Sequence, residues 1–136
     1  AEDRTAARGP VTLPDGTRVP RLPGLTRWIW DDDGFCGGVG MRWTPGSTDL
    51  PPTCLGHVGY SVVPWKQRRG YATRALALAL PLLAAEGLPW CEAVTDADNV
   101  ASQRVLAANG AVLVERFTLP EQFGSGPALR WRIALT

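Results

Sequence analysis

Histidine is nearly absent from this 136-residue chain, with one copy at His57, and cysteine is scarce, with Cys36, Cys54 and Cys91 far apart. The three thiols form no CxxC pair, and an odd number argues against a disulfide framework. Cys36 and Cys91 lie in apolar runs, which suits core thiols better than ligands. A single histidine leaves zinc without its usual donors, so no metal is expected. No apolar run approaches the ~20 residues that would cross a bilayer. The opening AEDRTAARGPVTLPDG also lacks the apolar segment of a secretory signal. No membrane partner is therefore expected, and cytoplasmic location is the default. The sequence begins at Ala1 rather than Met, which leaves room for residues removed or lying upstream. A basic excess is missing too: fourteen Lys and Arg face thirteen Asp and Glu, for a net charge of +1. Nucleic-acid binders usually show that excess, so nucleic acid is not an expected partner. Any basic function must be local.

What is present is a chain 45% apolar, enough to build one globular core at single-domain length. Residues 1–24 carry Pro10, Pro14, Pro20 and Pro23 with Gly9, Gly16 and Gly24, and no strand or helix period survives. They read as an irregular arm, ahead of a single domain over 25–136. Leu25 to Trp30 suggests a strand, DDDG (Asp31 to Gly34) a tight turn, and Phe35 to Trp43 the returning strand of a hairpin. Gly37, Gly38 and Gly40 leave that strand sparsely decorated, so another group can approach its backbone.

Thr44 to Thr53 is loop, and a third strand runs from Gly56 to Val63 and stops at Pro64. A helix from Gly70 to Glu86 follows, ended by Gly87 and Pro89. Leu76, Leu80 and Leu83 share its core stripe, Leu78 and Leu82 make the other side apolar, and Pro81 predicts a kink. Trp90 to Thr95 reads as a strand, and Asn99 or a neighbouring Asp starts a second helix ending at Asn109-Gly110. Strands over 112–119 and 129–135 complete an order β-β-β-α-β-α-β-β. That order is an α/β (α+β) pattern, a mixed sheet with helices packed on it. Core packing is the expected role for most of the six tryptophans.

The stretch PWKQRRGYATRAL (Pro64 to Leu76) puts a strand end, two arginines, a glycine and a helix start into few residues. First-turn amides have no intrahelical acceptor and sit at the positive end of the helix dipole, a ready site for a pyrophosphate. Gly70 and Ala72 let a ligand come close, while Arg68 and Arg69, with Arg74 one turn on, add charge. Neither GxxxxGK[ST] nor GxGxxG is present, so this is neither a Walker A loop nor a dinucleotide fingerprint. Taken alone, a strand-to-helix turn on a basic face explains it equally well.

The wider window is more specific. Gln67-Arg68-Arg69-Gly70-Tyr71-Ala72 resembles the Q/R-x-x-G-x-G/A signature of the GCN5-related N-acetyltransferases (the GNAT superfamily), and it follows a strand ending in VVP. GHVGYSVVPWKQRRGYAT, DADNVASQRVLAANGAVL and the closing RWRIAL are similar to a bacterial subgroup of acetyltransferases in that superfamily, over about residues 25–136. The resemblance implies acetyl-CoA or another acyl-CoA as cofactor and an amine-bearing acceptor of unknown identity. It implies that amides of Gln67, Arg68, Arg69, Gly70, Tyr71, Ala72 and Thr73 hold the pyrophosphate. The pantetheine arm would run along Val62 and Val63, with Asn99 and Ser102 beside it. A β-bulge over Tyr60 to Val62 would open the gap, where the Val62 amide polarises the thioester carbonyl.

Family members use direct attack by the amine, with a Glu or water chain as base and a helix tyrosine as acid. Leu106 occupies the matching tyrosine position here and cannot donate a proton. His57, Tyr60 and Glu92 are the remaining candidates. His57 and Tyr60, three apart, fall on opposite faces of a regular strand. The helices that precede the hairpin in full-length members have no counterpart, only the arm. An upstream segment, a non-catalytic acyl-CoA-binding or assembly domain, or an acceptor pocket completed by a second copy in a homodimer would each account for that.

Overall fold

The computed structural model describes residues 22–51 and 54–135, together with Gly16 and three short strands nearer the start. Those strands are β1 (Glu2–Arg4), β2 (Val11–Thr12) and β3 (Arg18–Val19). Then come β4 (Gly24–Asp31), β5 (Gly34–Arg42), β6 (Val58–Val62), α1 (Tyr71–Ala85), β7 (Trp90–Asp96), α2 (Val100–Ala108), β8 (Val112–Thr118) and β9 (Pro127–Ala134). A 3-10 turn over Pro64–Lys66 links β6 to α1. The arm is not wholly irregular: β1 pairs antiparallel with β4, Arg4 opposite Leu25, and so extends the sheet by one strand.

The two larger sheets, both antiparallel, run in the orders β1-β4-β5-β6 and β7-β9-β8, and β2 pairs with β3 in a small sheet of its own. β6 and β7 join only at their starts. There the His57 amide donates to the Glu92 carbonyl at 2.8 Å. Gly56 is required at that junction, since an added Cβ would lie 2.9 Å from the Glu92 carbonyl oxygen. Beyond it each strand pairs with its own sheet alone, β6 with β5 and β7 with β9. A V-shaped gap opens toward the ends at which α1 and α2 begin.

α1 fills one side of this frame because Ala75, Leu76, Ala79 and Leu83 recur at helical spacing and are buried. They meet Leu25, Val39, Met41 and Val58 from one sheet, Cys91, Ala93 and Ile133 from the other, and Leu106 from α2. Each fully buried leucine among them contributes about 1.5–3 kcal/mol of transfer free energy. Pro81 sits within α1 without ending it. Leu78, on the opposite side, is 72% exposed. Cys36 and Cys91 are buried free thiols, as expected from their apolar runs.

The tryptophans depart from expectation: Trp43 is buried, but Trp28, Trp30 and Trp65 are exposed. Strand alternation turns Trp28 and Trp30 to the face that α1 does not cover, where they contact Phe35 at 5.8 and 5.5 Å. The bulge also lies elsewhere. β5 and β6 keep an unbroken register from Met41↔Val58 to Gly37↔Val62, and the irregularity falls at Cys36, opposite the Ile29/Trp30 step. The V opens because β6 and β7 belong to separate ladders, not because β6 bulges over Tyr60 to Val62.

Candidate active site

The gap holds a cleft of about 940 Å³ lined by β6 (Tyr60, Ser61, Val62), by the loop and first turn of α1, and by α2 from Asn99 to Val105. Its β6 wall offers backbone. The Val63 amide donates to the Cys36 carbonyl at 2.8 Å and Arg42 donates to the His57 carbonyl, so the odd positions of β6 turn toward β5. Alternation then turns the amides of Tyr60 and Val62 toward the gap. Val62 thus has the orientation expected of it, whereas Val63 faces the neighbouring strand and does not line the cleft.

At the cleft mouth Gln67 donates from Nε2 to the Val62 carbonyl at 3.0 Å. Arg68 and Gly70 both adopt left-handed backbone, with φ of 65° and 78°. Two left-handed residues so close together curl the loop between β6 and α1. No side chain caps α1, and its first i→i−4 bond runs from the Arg74 amide to the Gly70 carbonyl. The amides of Tyr71, Ala72 and Thr73 precede that bond and have no helical acceptor. A Cβ added at Gly70 would meet nothing of the protein, so the space beside it is open. Gln67, Arg68, Gly70, Tyr71, Ala72 and Thr73 all line the cleft, while Arg69 does not. Arg74 turns instead into a second groove, of about 360 Å³, between α1 and β4. Sequence reasoning missed two cleft cations, Lys66 and Arg104. Arg104 follows Ser102 by two positions on α2 and carried no signature of its own.

On the α2 wall Asn99 is the N-cap, its Oδ1 accepting from the Ser102 amide at 3.1 Å. Its two Nδ2 hydrogens remain as donors beside the cleft. Asn109, at the other end, donates to the Thr73 carbonyl at 3.2 Å and ties α2 to the start of α1.

The three acid–base candidates come apart. His57 has no exposed surface. Its Nδ1 accepts from the Glu92 amide at 2.9 Å and its Nε2 lies 3.1 Å from the Thr48 carbonyl, which fixes a neutral tautomer with the proton on Nε2. Burial pushes its pKa below the ordinary value. His57 therefore pins the junction of β6 and β7 and is not a base at the cleft, which corrects the expectation from sequence. Glu92 lies on the face opposite α1, held by Arg132 at 3.1 Å and Arg130 at 3.9 Å. Both arginines also cover aromatic rings, Arg132 over Trp90 at 3.7 Å and Arg130 over Phe117 at 4.5 Å. Glu92 does not line the cleft.

Tyr60 does. Its hydroxyl donates to the Ser102 carbonyl at 3.0 Å and stands 2.9 Å from Ser102 Oγ, spanning the gap from β6 to α2. Burial raises its pKa, so the phenol holds its proton at neutral pH. Leu106, one turn beyond Ser102, is fully buried in the core. No helix among the described residues is long and apolar enough to cross a membrane, and none of their His, Cys, Asp and Glu side chains cluster as a metal site.

Residues 18–112 match the family model described as acetyltransferase (GNAT) domain. No curated protein matches the chain. Among solved structures, yncA of Salmonella typhimurium with its cofactor acetyl-CoA superposes with a TM-score of 0.65 at 15% identity, over 85% of this chain and 65% of that one. A spermidine N-acetyltransferase mutant from Vibrio cholerae gives 0.62 at 13% identity, over 82% and 66%. An acetyltransferase of the GNAT family from Streptococcus pneumoniae gives 0.64 at 13%, over 85% and 67%. At such identities the likeness is one of fold, and this chain spans about two thirds of the length of each.

Proposed function

The chain belongs to the GNAT acetyltransferase family, and we propose that it moves an acetyl or other acyl group from acyl-CoA to an amine by direct attack. The observation that carries this reading is the cleft itself, with an unpaired strand edge on one wall and an uncapped, left-handed loop and helix start at its mouth. A pyrophosphate fits that mouth: the amides of Tyr71, Ala72 and Thr73 supply donors, and Arg68 and Arg104 supply charge. The edge at Tyr60 and Val62 can pair with the amides of a pantetheine arm, and Asn99 Nδ2 can donate to it.

Acyl-CoA supplies an activated thioester. The Val62 amide is aimed where a carbonyl oxygen gains negative charge and lowers the barrier there. Tyr60 Oη holds the proton that a departing thiolate needs, and Ser102 Oγ, at 2.9 Å, is placed to relay one back to it from solvent. The attacking amine enters neutral and loses its surplus proton to solvent, so the overall transfer balances. The acceptor approaches the uncovered sheet face. The reading keeps a cytoplasmic enzyme, with a second copy of the chain as a candidate to cover the exposed leucine of α1.

The alternative is an acyl-CoA-binding domain without turnover, favoured by one observation: Leu106 is locked in the core where the family's tyrosine stands. Calorimetry with acetyl-CoA tests the shared premise. Binding is expected in the wild type and lost in Gly70→Val; a folded wild type that ignores acetyl-CoA overturns both readings. Release of CoA thiol against amines, polyamines, peptides and aminoglycosides then separates them. Acceptor-dependent release, reduced about 10²-fold or more in Tyr60→Phe, supports the transferase. Slow hydrolysis alone, whatever the amine, supports the binding domain.

A further inference from the structure

The carboxylate of Asp31 gathers three elements of the fold. Asp31 closes β4 at the tip of the hairpin. Lys66, the last residue of the 3-10 turn, places Nζ 2.9 and 2.8 Å from its two oxygens. Tyr71, the first residue of α1, donates its hydroxyl to Oδ2 at 2.8 Å. The lysine side chain is 6% exposed and that of Asp31 17%. Asp33 stands 3.6 Å from the same ammonium but is 83% exposed, and it contributes little beside Asp31.

Lys66 and Tyr71 are the two ends of the loop that carries Gln67, Arg68, Arg69 and Gly70. One carboxylate thus fixes both ends of the segment that curls around the phosphate site. That segment needs fixing. Arg68, a residue with a Cβ, is held at φ 65°, a conformation that persists only where its surroundings over-determine it. The loop's own contacts are local, Arg69 hydrogen-bonding the Tyr71 side chain, and do not tie it across to the hairpin. Gln67 reaches the Val62 carbonyl, and no side chain caps the helix at Gly70. The charge balance also favours the arrangement. The ammonium offsets the carboxylate, so a negative group can stand behind an anion site without repelling its ligand.

We propose that Asp31, acting through Lys66 and Tyr71, is a positioning residue that shapes the pyrophosphate cradle and so sets affinity for acyl-CoA from outside the cleft. The inference rests on the reading of the cleft as an acyl-CoA site. Removing the carboxylate frees both loop ends at once, and the loop loses the preorganisation that makes its amides converge.

The test measures dissociation constants for acetyl-CoA and for S-acetylpantetheine, which lacks the pyrophosphate, in wild type, Asp31→Asn, Lys66→Met, the double variant and Tyr71→Phe. Asp31→Asn and Lys66→Met should each weaken acetyl-CoA about tenfold or more. The double variant should be no worse than the poorer single one, because both act through one contact. Tyr71→Phe removes a single hydrogen bond, keeps the ion pair, and should weaken binding a few-fold in a folded protein. S-acetylpantetheine should bind all variants alike, a selectivity that general loosening of the fold would not give. Wild type that binds acetyl-CoA together with an Asp31→Asn variant that binds it equally well, or more tightly through a freed lysine, overturns this inference alone. Equal losses for both ligands overturn it too. Wild type that fails to bind acetyl-CoA overturns it together with the reading beneath it.

Discussion

Replacing His57 with alanine separates a structural pin from a catalytic base. The imidazole has no exposed surface and accepts from the Glu92 amide while meeting the Thr48 carbonyl. Truncation leaves that amide buried without an acceptor, which costs about 1–3 kcal/mol. It also empties the volume of the ring, and the two effects together come to about 3–5 kcal/mol, a large part of an ordinary domain's stability. For a chain of this size that lowers the melting midpoint by roughly 10–20 °C. His57→Asn should cost only about 1–2 kcal/mol, because an Asn oxygen can stand where Nδ1 does and keep the Glu92 amide satisfied. The pH dependence has a definite sign. The folded pKa is depressed by burial, so the unfolded chain takes up the proton first as pH falls below about 6.5. Wild-type stability should therefore fall below that pH, and His57→Asn should lose that part of the slope. Urea unfolding at pH 5 to 8 reads both effects, and acetyl-CoA binding by His57→Asn should stay within a few-fold of wild type. A His57→Asn protein that keeps wild-type stability and its pH slope, yet loses turnover and the acid limb of its rate profile, would refute the reasoning.

Gly37→Ala should cost about 1–3 kcal/mol or more, read from the urea midpoint, because its Cβ would fall on the Ser61 carbonyl across the β5–β6 pair; a change below about 0.5 kcal/mol contradicts that packing. Arg68→Gly should be at least as stable as wild type by thermal unfolding while binding acetyl-CoA more weakly, since it removes left-handed strain along with a cation. Arg68→Val, β-branched at the same φ, should instead lose about 1–2 kcal/mol. Lys66 and Tyr71 hold the Asp31 carboxyl well below the usual carboxylate range. Its contribution is thus present above about pH 4 and lost as pH falls further, so the gap between wild type and Asp31→Asn in acid titration should narrow below that pH. Glu92→Gln should lower stability by about 1 kcal/mol through its arginine partners and leave turnover within a few-fold; a hundredfold loss of turnover would restore Glu92 as the base.

The elements were legible to within a residue or two wherever local chemistry sets them. Val63-Pro64 ends a strand, Gly70 starts a helix and Asn99 caps another, and each does so from its own side chain or backbone. The turn from loop into α1 was legible for the same reason. What stayed hidden depends on distant partners. His57 looks like a base until Glu92, thirty-five positions on, and Thr48 are seen to consume both ring nitrogens. Asp31 looks like one residue of an acidic turn until Lys66 and Tyr71, thirty-five and forty positions away, close on it. The tryptophans were misjudged because composition reports that they are apolar and not which face alternation gives them; the hairpin puts Trp28 and Trp30 on the uncovered one.

That division has a physical basis in what each half of the site uses for recognition. On the proposed reading, the acyl-CoA half is built from backbone: a strand edge, a curled loop and a helix start. Such a half needs only the turn residues and a carboxylate that holds the loop, all of which lie within residues 31–102. The acceptor half must be built from side chains. On the uncovered face the chain offers exposed aromatics at the hairpin tip, glycines at 38, 40 and 59, and an arginine–glutamate ladder across β7 and β9. The Trp28 ring lies over Gly38, while Gly40 and Gly59 present nearly bare backbone, which excludes little. The arginines are engaged with Glu92, Trp90 and Phe117. Selectivity for one amine over another would then have to come from the hairpin aromatics or from residues that approach this face from elsewhere. Substitutions at Trp28 and Trp30 should accordingly change which amines react while leaving acetyl-CoA affinity alone, the opposite of what substitutions at Asp31 should do.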